Sequence, residues 1–151
     1  MFLQFPLSSR CGKIDKLIKE AQNTDITLED IPGGTNAFLI AAKFCYGVRV
    51  ELTPRNIVLV YCVADYLEMF DEYGDDNLFA RAENYFHKNV LKNWKDCMVA
   101  LQSCENFITQ ADNLQIIGKC LNAVSMMACT DPSLFGWPMM MYGRFEFAAQ
   151  N

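Results

Sequence analysis

Seven cysteines, at positions 11, 45, 62, 97, 104, 120 and 129, and a single histidine, His87, are the residues of this chain best equipped for covalent or metal chemistry. Structural zinc takes its ligands in closely spaced pairs such as C-x-x-C. The nearest pair here, Cys97 and Cys104, has six residues between its members. A cysteine nucleophile needs a base beside it, and Cys97, Cys104 or Cys120 with His87 is the combination on offer. His87 sits beside Phe86, Lys88 and Asn89 on a predicted helix surface, where a solvated imidazole is the commoner outcome. No G-x-S-x-G, phosphate loop or G-x-G-x-x-G occurs, since Gly33-Gly34 lacks the lysine and the third glycine of such loops and reads as a turn. The residues therefore point away from an enzyme, and no catalytic, cofactor or metal site is assigned.

Two other groups suit contact rather than chemistry. Asp71, Glu72, Asp75 and Asp76 form an acidic cluster beside Tyr73 and Phe79, which reads either as a solvated loop or as a partner-facing patch. Trp137, the run Met139-Met140-Met141 and Tyr142 would make an apolar patch that packs on this domain or on a partner.

The elements that must position these residues belong to one globular domain: 151 residues, 52% apolar and 21% charged. A net charge of -5 gives no electrostatic basis for binding nucleic acid. Several cysteines fall in apolar stretches as small hydrophobes and their number is odd, which predicts a reducing compartment. The longest apolar run, 57–64, is far short of the roughly 20 residues of a bilayer span, and the N-terminus lacks the pattern of a secretion signal. A cytoplasmic location is expected.

Residues 2–7 read as the end of a strand, followed by a helix capped by Ser8 or Ser9 and running to Ala21, with Ile14, Leu17, Ile18 and Ala21 on one face. Alternation predicts short strands over 26–29 and 48–53. Between them, after Pro32 and the Gly33-Gly34 turn, residues 36–46 are charged only at Lys43 and are predicted to be the central buried helix. Thr53-Pro54 predicts the start of a helix reaching Met69. Gly74 ends that region, and 77–91 carries a stripe of Leu78, Ala82, Tyr85, Phe86 and Val90. Stripes Trp94–Cys97–Met98–Leu101–Cys104–Ile108 and Leu114–Ile117–Leu121–Val124–Ala128 predict two paired antiparallel helices. Helical periodicity stops near Thr130.

Pro32, Gly33, Gly34 and Phe38, then Ala42-Lys43-Phe44-Cys45-Tyr46-Gly47, resemble the BTB/POZ domain of the plant family known for non-phototropic-hypocotyl and root-phototropism proteins. The resemblance continues through Cys62-Val63-Ala64-Asp65-Tyr66-Leu67-Glu68-Met69, Asn77-Leu78, Ser103-Cys104-Glu105 and Asp131-Pro132-Ser133-Leu134-Phe135-Gly136-Trp137-Pro138. It implies an α+β, mostly α-helical fold: a small sheet with a helical cluster over 1–92, a helical extension over 93–130, and a tail over 131–151 leading toward a second domain. The family's opening strand and its L-H-K-F-P-L run have no full counterpart, because Met1-Phe2-Leu3-Gln4-Phe5-Pro6-Leu7 stands there.

The resemblance further implies a non-enzymatic, substrate-specific adapter of a cullin-3 E3 ubiquitin ligase, acting in protein ubiquitination and in phototropic or auxin-related signalling. The expected cullin segment is 47–56, where Leu52-Thr53-Pro54 stands for a hydrophobic-x-Glu triplet with proline in place of the acid. Leu52, Pro54, Arg55 and Asn56, with Asp75, Asp76 and Phe79, are the expected cullin contacts. Leu7, Ile14, Leu17 and Ile18 are the expected dimer contacts, for a homo- or heterodimer with other BTB proteins. Contacts with receptor kinases, made through parts beyond this chain, are not carried over; any place at the plasma membrane would come through partners. The alternatives are a scaffold or competitor that binds relatives without recruiting substrate, and the cysteine-dependent enzyme already described.

Overall fold

The apolar run 57–64 forms the axis of the fold. The computed structural model describes residues 4–20 and 27–130, and places this run in the helix Ile57–Tyr66, seven of whose ten residues are buried. The helices in chain order are α1 (Gln4–Arg10), α2 (Gly12–Glu20), α3 (Gly34–Cys45), α4 (Ile57–Tyr66), α5 (Leu78–Lys88), α6 (Trp94–Ser103), α7 (Ile108–Asn113) and α8 (Ile116–Thr130). Short 3-10 turns lie at Asp71–Tyr73, Val90–Lys92 and Cys104–Asn106. α4 packs against α3, α5 and α6, and α8 lies against α6 and α7.

The start of α4 departs from the expected cap. Thr53 and Asn56 cross-bond, the Thr53 N–H donating to Asn56 Oδ1 at 2.8 Å and the Asn56 N–H to Thr53 Oγ1 at 3.2 Å. The Ile57 N–H then donates to the Thr53 carbonyl at 2.9 Å. Pro54 lies in this turn rather than at the first helical position, so the helix opens later than Thr53-Pro54 predicts. It also closes before Met69, with Glu68 in the left-handed region at φ 56°.

That closure docks the N-terminal helices. The N–H groups of Gly12 and Lys13, at the open end of α2, donate at 3.0 Å to the carbonyls of Glu68 and Leu67. Gly12 is required there: a Cβ would lie 2.8 Å from the Tyr73 ring and 2.9 Å from the Glu68 carbonyl. The single helix expected up to Ala21 is consequently two helices broken at Cys11. The strand end expected over 2–7 is corrected too, since α1 is helical from Gln4 and tolerates Pro6 within its first turn. Residues 1–3 and 21–26, with part of the expected 26–29 strand, lie outside the described residues.

Among the described residues there is no strand, so the sheet of the α+β expectation is not observed. Residues 27–29 and 48–53 are irregular, because alternation alone makes no strand without a ladder to join. Gly33, at φ 82°, and Gly34, at φ 64°, form the expected turn, closed by the Gly34 N–H on the Ile31 carbonyl at 3.0 Å. α3 is less central than its composition suggests. Ala37, Ala41, Phe44 and Cys45 are buried, but Leu39 is 49% exposed.

α5 follows its stripe. Leu78, Ala82, Phe86 and, just beyond it, Val90 are fully buried, while Tyr85 is half-buried. Asn77 caps this helix, its Oδ1 accepting from the Ala80 N–H at 2.7 Å. Asn93 caps α6 in the same way through the Lys95 N–H at 2.9 Å. α6 and α8 do pack together, but the expected pair of continuous helices is interrupted by Cys104–Asn106 and α7. Ile108 is 60% and Leu121 53% exposed, so neither stripe faces inward as drawn; Cys97, Ala100, Cys104, Ala111, Ile116 and Cys120 do. The expected tail over 131–151 lies outside the described residues.

Candidate partner-binding groove

The irregular segment 48–53 joins α3 to the turn before α4, with Val50 and Leu52 resting on the core and Arg49 and Glu51 exposed. Against it lies the exposed side of α5. Together they line an open groove of about 850 Å³, whose walls include Arg49, Val50, Glu51, Leu52, Arg81 and Tyr85. A second cleft of about 430 Å³ continues from it, sharing Arg49 and Arg81 and adding Arg10, Phe44, Val48 and Asp76.

Charge in the cleft is organised around Phe44. The Arg10 and Arg81 guanidinium carbons lie 5.6 and 5.4 Å from its ring centroid, both within cation–π range. Arg10 Nη1 also donates to the Phe44 carbonyl at 3.5 Å. Arg81 grips Asp76 with both prongs, Nε to Oδ1 at 2.7 Å and Nη2 to Oδ2 at 2.6 Å. Those hydrogen bonds hold the Asp76 carboxyl below its ordinary value.

Leu52 is half-buried in the groove wall, and Asp76 reaches the adjoining cleft through Arg81. Pro54 and Asn56 belong to the turn before α4, where Asn56 Nδ2 donates to the Glu51 carbonyl at 2.9 Å; Arg55, between them, is exposed. Asp75 is exposed as well. Phe79 packs edge-on against Tyr61 and Phe70, with centroids 5.3 and 5.0 Å away. Of the acidic cluster, Asp71 has an internal role, its Oδ1 accepting from the Asn77 Nδ2 at 2.9 Å. Of the expected dimer contacts, Ile14 is buried within the chain, Leu7 and Ile18 are half-buried against its core, and Leu17 is half-buried.

No cysteine is paired with His87 among the described residues. His87 Nδ1 lies 2.9 Å from the Glu83 carbonyl and Nε2 lies 3.2 Å from Lys119 Nζ. Cys97 donates to the Val90 carbonyl at 3.1 Å. Burial pushes the Cys62 and Cys120 thiols up to about 12 and raises Cys97 and Cys104 as well, which disfavours the thiolate a nucleophile requires. Among the described residues no cluster of three metal-ligating side chains occurs, and no helix is long and apolar enough to cross a membrane.

Sequence reasoning missed Arg10, Phe44, Arg49 and Arg81 as a set. Each stands in a different segment, and nothing in local spacing announces that they meet. What the groove offers is an apolar seat at Val50 and Leu52 beside oriented guanidinium groups, an arrangement suited to holding another chain.

Comparison with known proteins finds relatives among plant BTB/POZ domain-containing proteins. A BTB/POZ domain-containing protein of Arabidopsis thaliana is 52% identical over 149 residues, covering 95% of this chain and 23% of the relative. Another is 45% identical over 145 residues, 93% of this chain and 22% of the relative. The phototropic-responsive NPH3 family protein NPY1 of the same plant is 36% identical over 137 residues, 89% of this chain and 24% of the relative. The chain thus spans about a quarter of the length of these relatives. No family model matches, and no solved structure matches.

Proposed function

Because the chain belongs with the plant BTB/POZ domain-containing proteins, as a segment homologous to about a quarter of their length, we propose that it is a protein-interaction module serving as the cullin-3-binding part of a ubiquitin-ligase adapter. BTB/POZ domains work by contact rather than catalysis, and in this chain His87 turns to Glu83 and Lys119 rather than to a thiol. The observation that carries the finer reading is the position of Leu52, an apolar side chain half-buried in the wall of an open groove, with exposed Arg55 three residues on. An apolar anchor of this kind supplies most of the affinity at an interface, and charges at its rim set rate and register. Pro54 does not obstruct the reading, because it shapes the turn that presents Leu52.

In this reading the substrate is recruited by parts of the protein beyond this chain, and Leu7, Leu17 and Ile18 form the surface for a second BTB copy. The test is light scattering of the chain alone and mixed with the N-terminal region of a plant cullin-3. The expected result is a shift to the mass of a stoichiometric complex. Leu52→Asp should abolish that shift while leaving the circular dichroism spectrum unchanged. A folded chain that ignores the cullin, or a folded Leu52→Asp variant that binds as well as the parent, overturns the assignment.

A further inference from the structure

Two of the seven cysteines meet in a way that core packing does not require. Cys11 stands at the break between α1 and α2, Cys45 is the last residue of α3, and their Sγ atoms lie 3.4 Å apart in the interior. We propose that Cys11 and Cys45 are an oxidisable thiol pair, converted by a peroxide into an intramolecular disulfide that ties the α1–α2 corner to the end of α3. A disulfide needs the sulfurs about 1.3 Å closer than they stand, a shift within reach of side-chain rotation. The corner is already held against α4 through Gly12 and Lys13, so the two thiols are kept facing each other before any oxidant arrives.

The surroundings assign the roles. The Cys45 thiol is lowered by the hydrogen bond from Cys11 and by the positive charge of Arg10, against an opposing effect of burial, whereas Cys11 is raised. Arg10, whose guanidinium donates to the carbonyl of Phe44, sets its positive charge beside Cys45, so in this proposal Cys45 is the sulfur that attacks and Cys11 the one that resolves. Access is the remaining requirement. A cavity of about 280 Å³ lined by Arg10 and Phe44, the residues immediately before each cysteine, and by Tyr73 has room for hydrogen peroxide, but neither sulfur lines it, so the oxidant reaches the pair through a local opening of the α1–α2 corner.

In the first step the Cys45 thiolate attacks one peroxide oxygen. The O–O bond breaks, hydroxide leaves and is protonated to water, and the sulfur becomes a sulfenic acid. In the second, the Cys11 thiol loses its proton and its sulfur attacks the Cys45 sulfur. The S–O bond breaks, a second hydroxide leaves as water, and the disulfide forms. Two thiols and one peroxide thus give one disulfide and two waters. A thiol reductant returns the pair to its starting state.

The test uses the full chain carrying Cys129→Ser, which removes the exposed thiol. The folded protein is treated with hydrogen peroxide, its remaining thiols are alkylated after unfolding, and it is mapped by peptide mass spectrometry without reduction. The expected result is a cross-link between the peptides holding Cys11 and Cys45, with the loss of two hydrogens and its reversal by dithiothreitol. Cys11→Ser should lose the cross-link and leave Cys45 trapped as a sulfenic acid that dimedone labels. A cross-link formed instead between Cys97 and Cys120, or free thiols at Cys11 and Cys45 under a dose that oxidises the exposed Met98 and Met126, overturns the proposal. The map of the Cys129→Ser chain decides this even if Cys11→Ser fails to fold.

Discussion

Gly12 shows how much rests on a single absent side chain. Its N–H bonds to Glu68 only because the two backbones approach at a distance that any Cβ would prevent. Gly12→Val should therefore cost about 1–3 kcal/mol by overpacking, read as a lower urea midpoint. Asn77 is a second such point, since one amide caps α5 through the Ala80 N–H and also donates to Asp71 and to the Gly74 carbonyl. Asn77→Ala should cost about 1–2 kcal/mol in the same measurement. The cysteines give a third check at this scale. Six are buried and Cys129 is exposed, so a bulky alkylating reagent should modify Cys129 alone in the native chain and reach the rest only on unfolding.

Among the elements, α4 and α5 form the centre of the core, whereas α8 presents one side to solvent. Phe86 is fully buried on α5, with its ring centroid 5.7 Å from that of Tyr61 on α4. Phe86→Ala should cost about 3–5 kcal/mol. Leu121 belongs to a stripe of the same periodicity, yet it is half-exposed on α8, and Leu121→Ala should change stability by no more than about 0.5 kcal/mol. Comparing the two variants by thermal or urea unfolding separates the observed burial from the one that periodicity alone predicts. α5 was legible because most of its apolar stripe meets a single helix, α4. The stripes at the C-terminal end were legible as helices, but not in which face they bury.

The folded molecule as a whole keeps protons that its unfolded chain releases in alkali. Burial raises Cys62 and Cys120 from 9.0 to about 12, and Tyr61 from 10.0 to about 12. For groups whose folded value lies above the unfolded one, the stabilisation is complete below the unfolded value and is lost as pH rises through the folded one. Stability should therefore fall progressively from about pH 9 toward pH 12, which urea unfolding in a series of alkaline buffers would measure. The same whole-molecule packing creates the groove, where segment 48–53 lies beside α5 and Phe44 draws Arg10 and Arg81 to one place.

Local sequence was enough for the likeness to the plant BTB/POZ domain-containing proteins, the turn at Gly33-Gly34, the largely buried character of 57–64 and the existence of most helices. These are local properties: a run of apolar residues, a repeat of three and four, or a glycine pair carries its meaning whatever surrounds it. Tertiary structure alone decided that α3 leaves Leu39 half in solvent, that the helix before it breaks at Cys11, and that Cys11 meets Cys45. It also decided that His87 turns to Glu83 and Lys119 rather than to a thiol. Periodicity reports that a face is apolar, but what covers that face is settled by residues dozens of positions away, whose approach no spacing within the helix can encode.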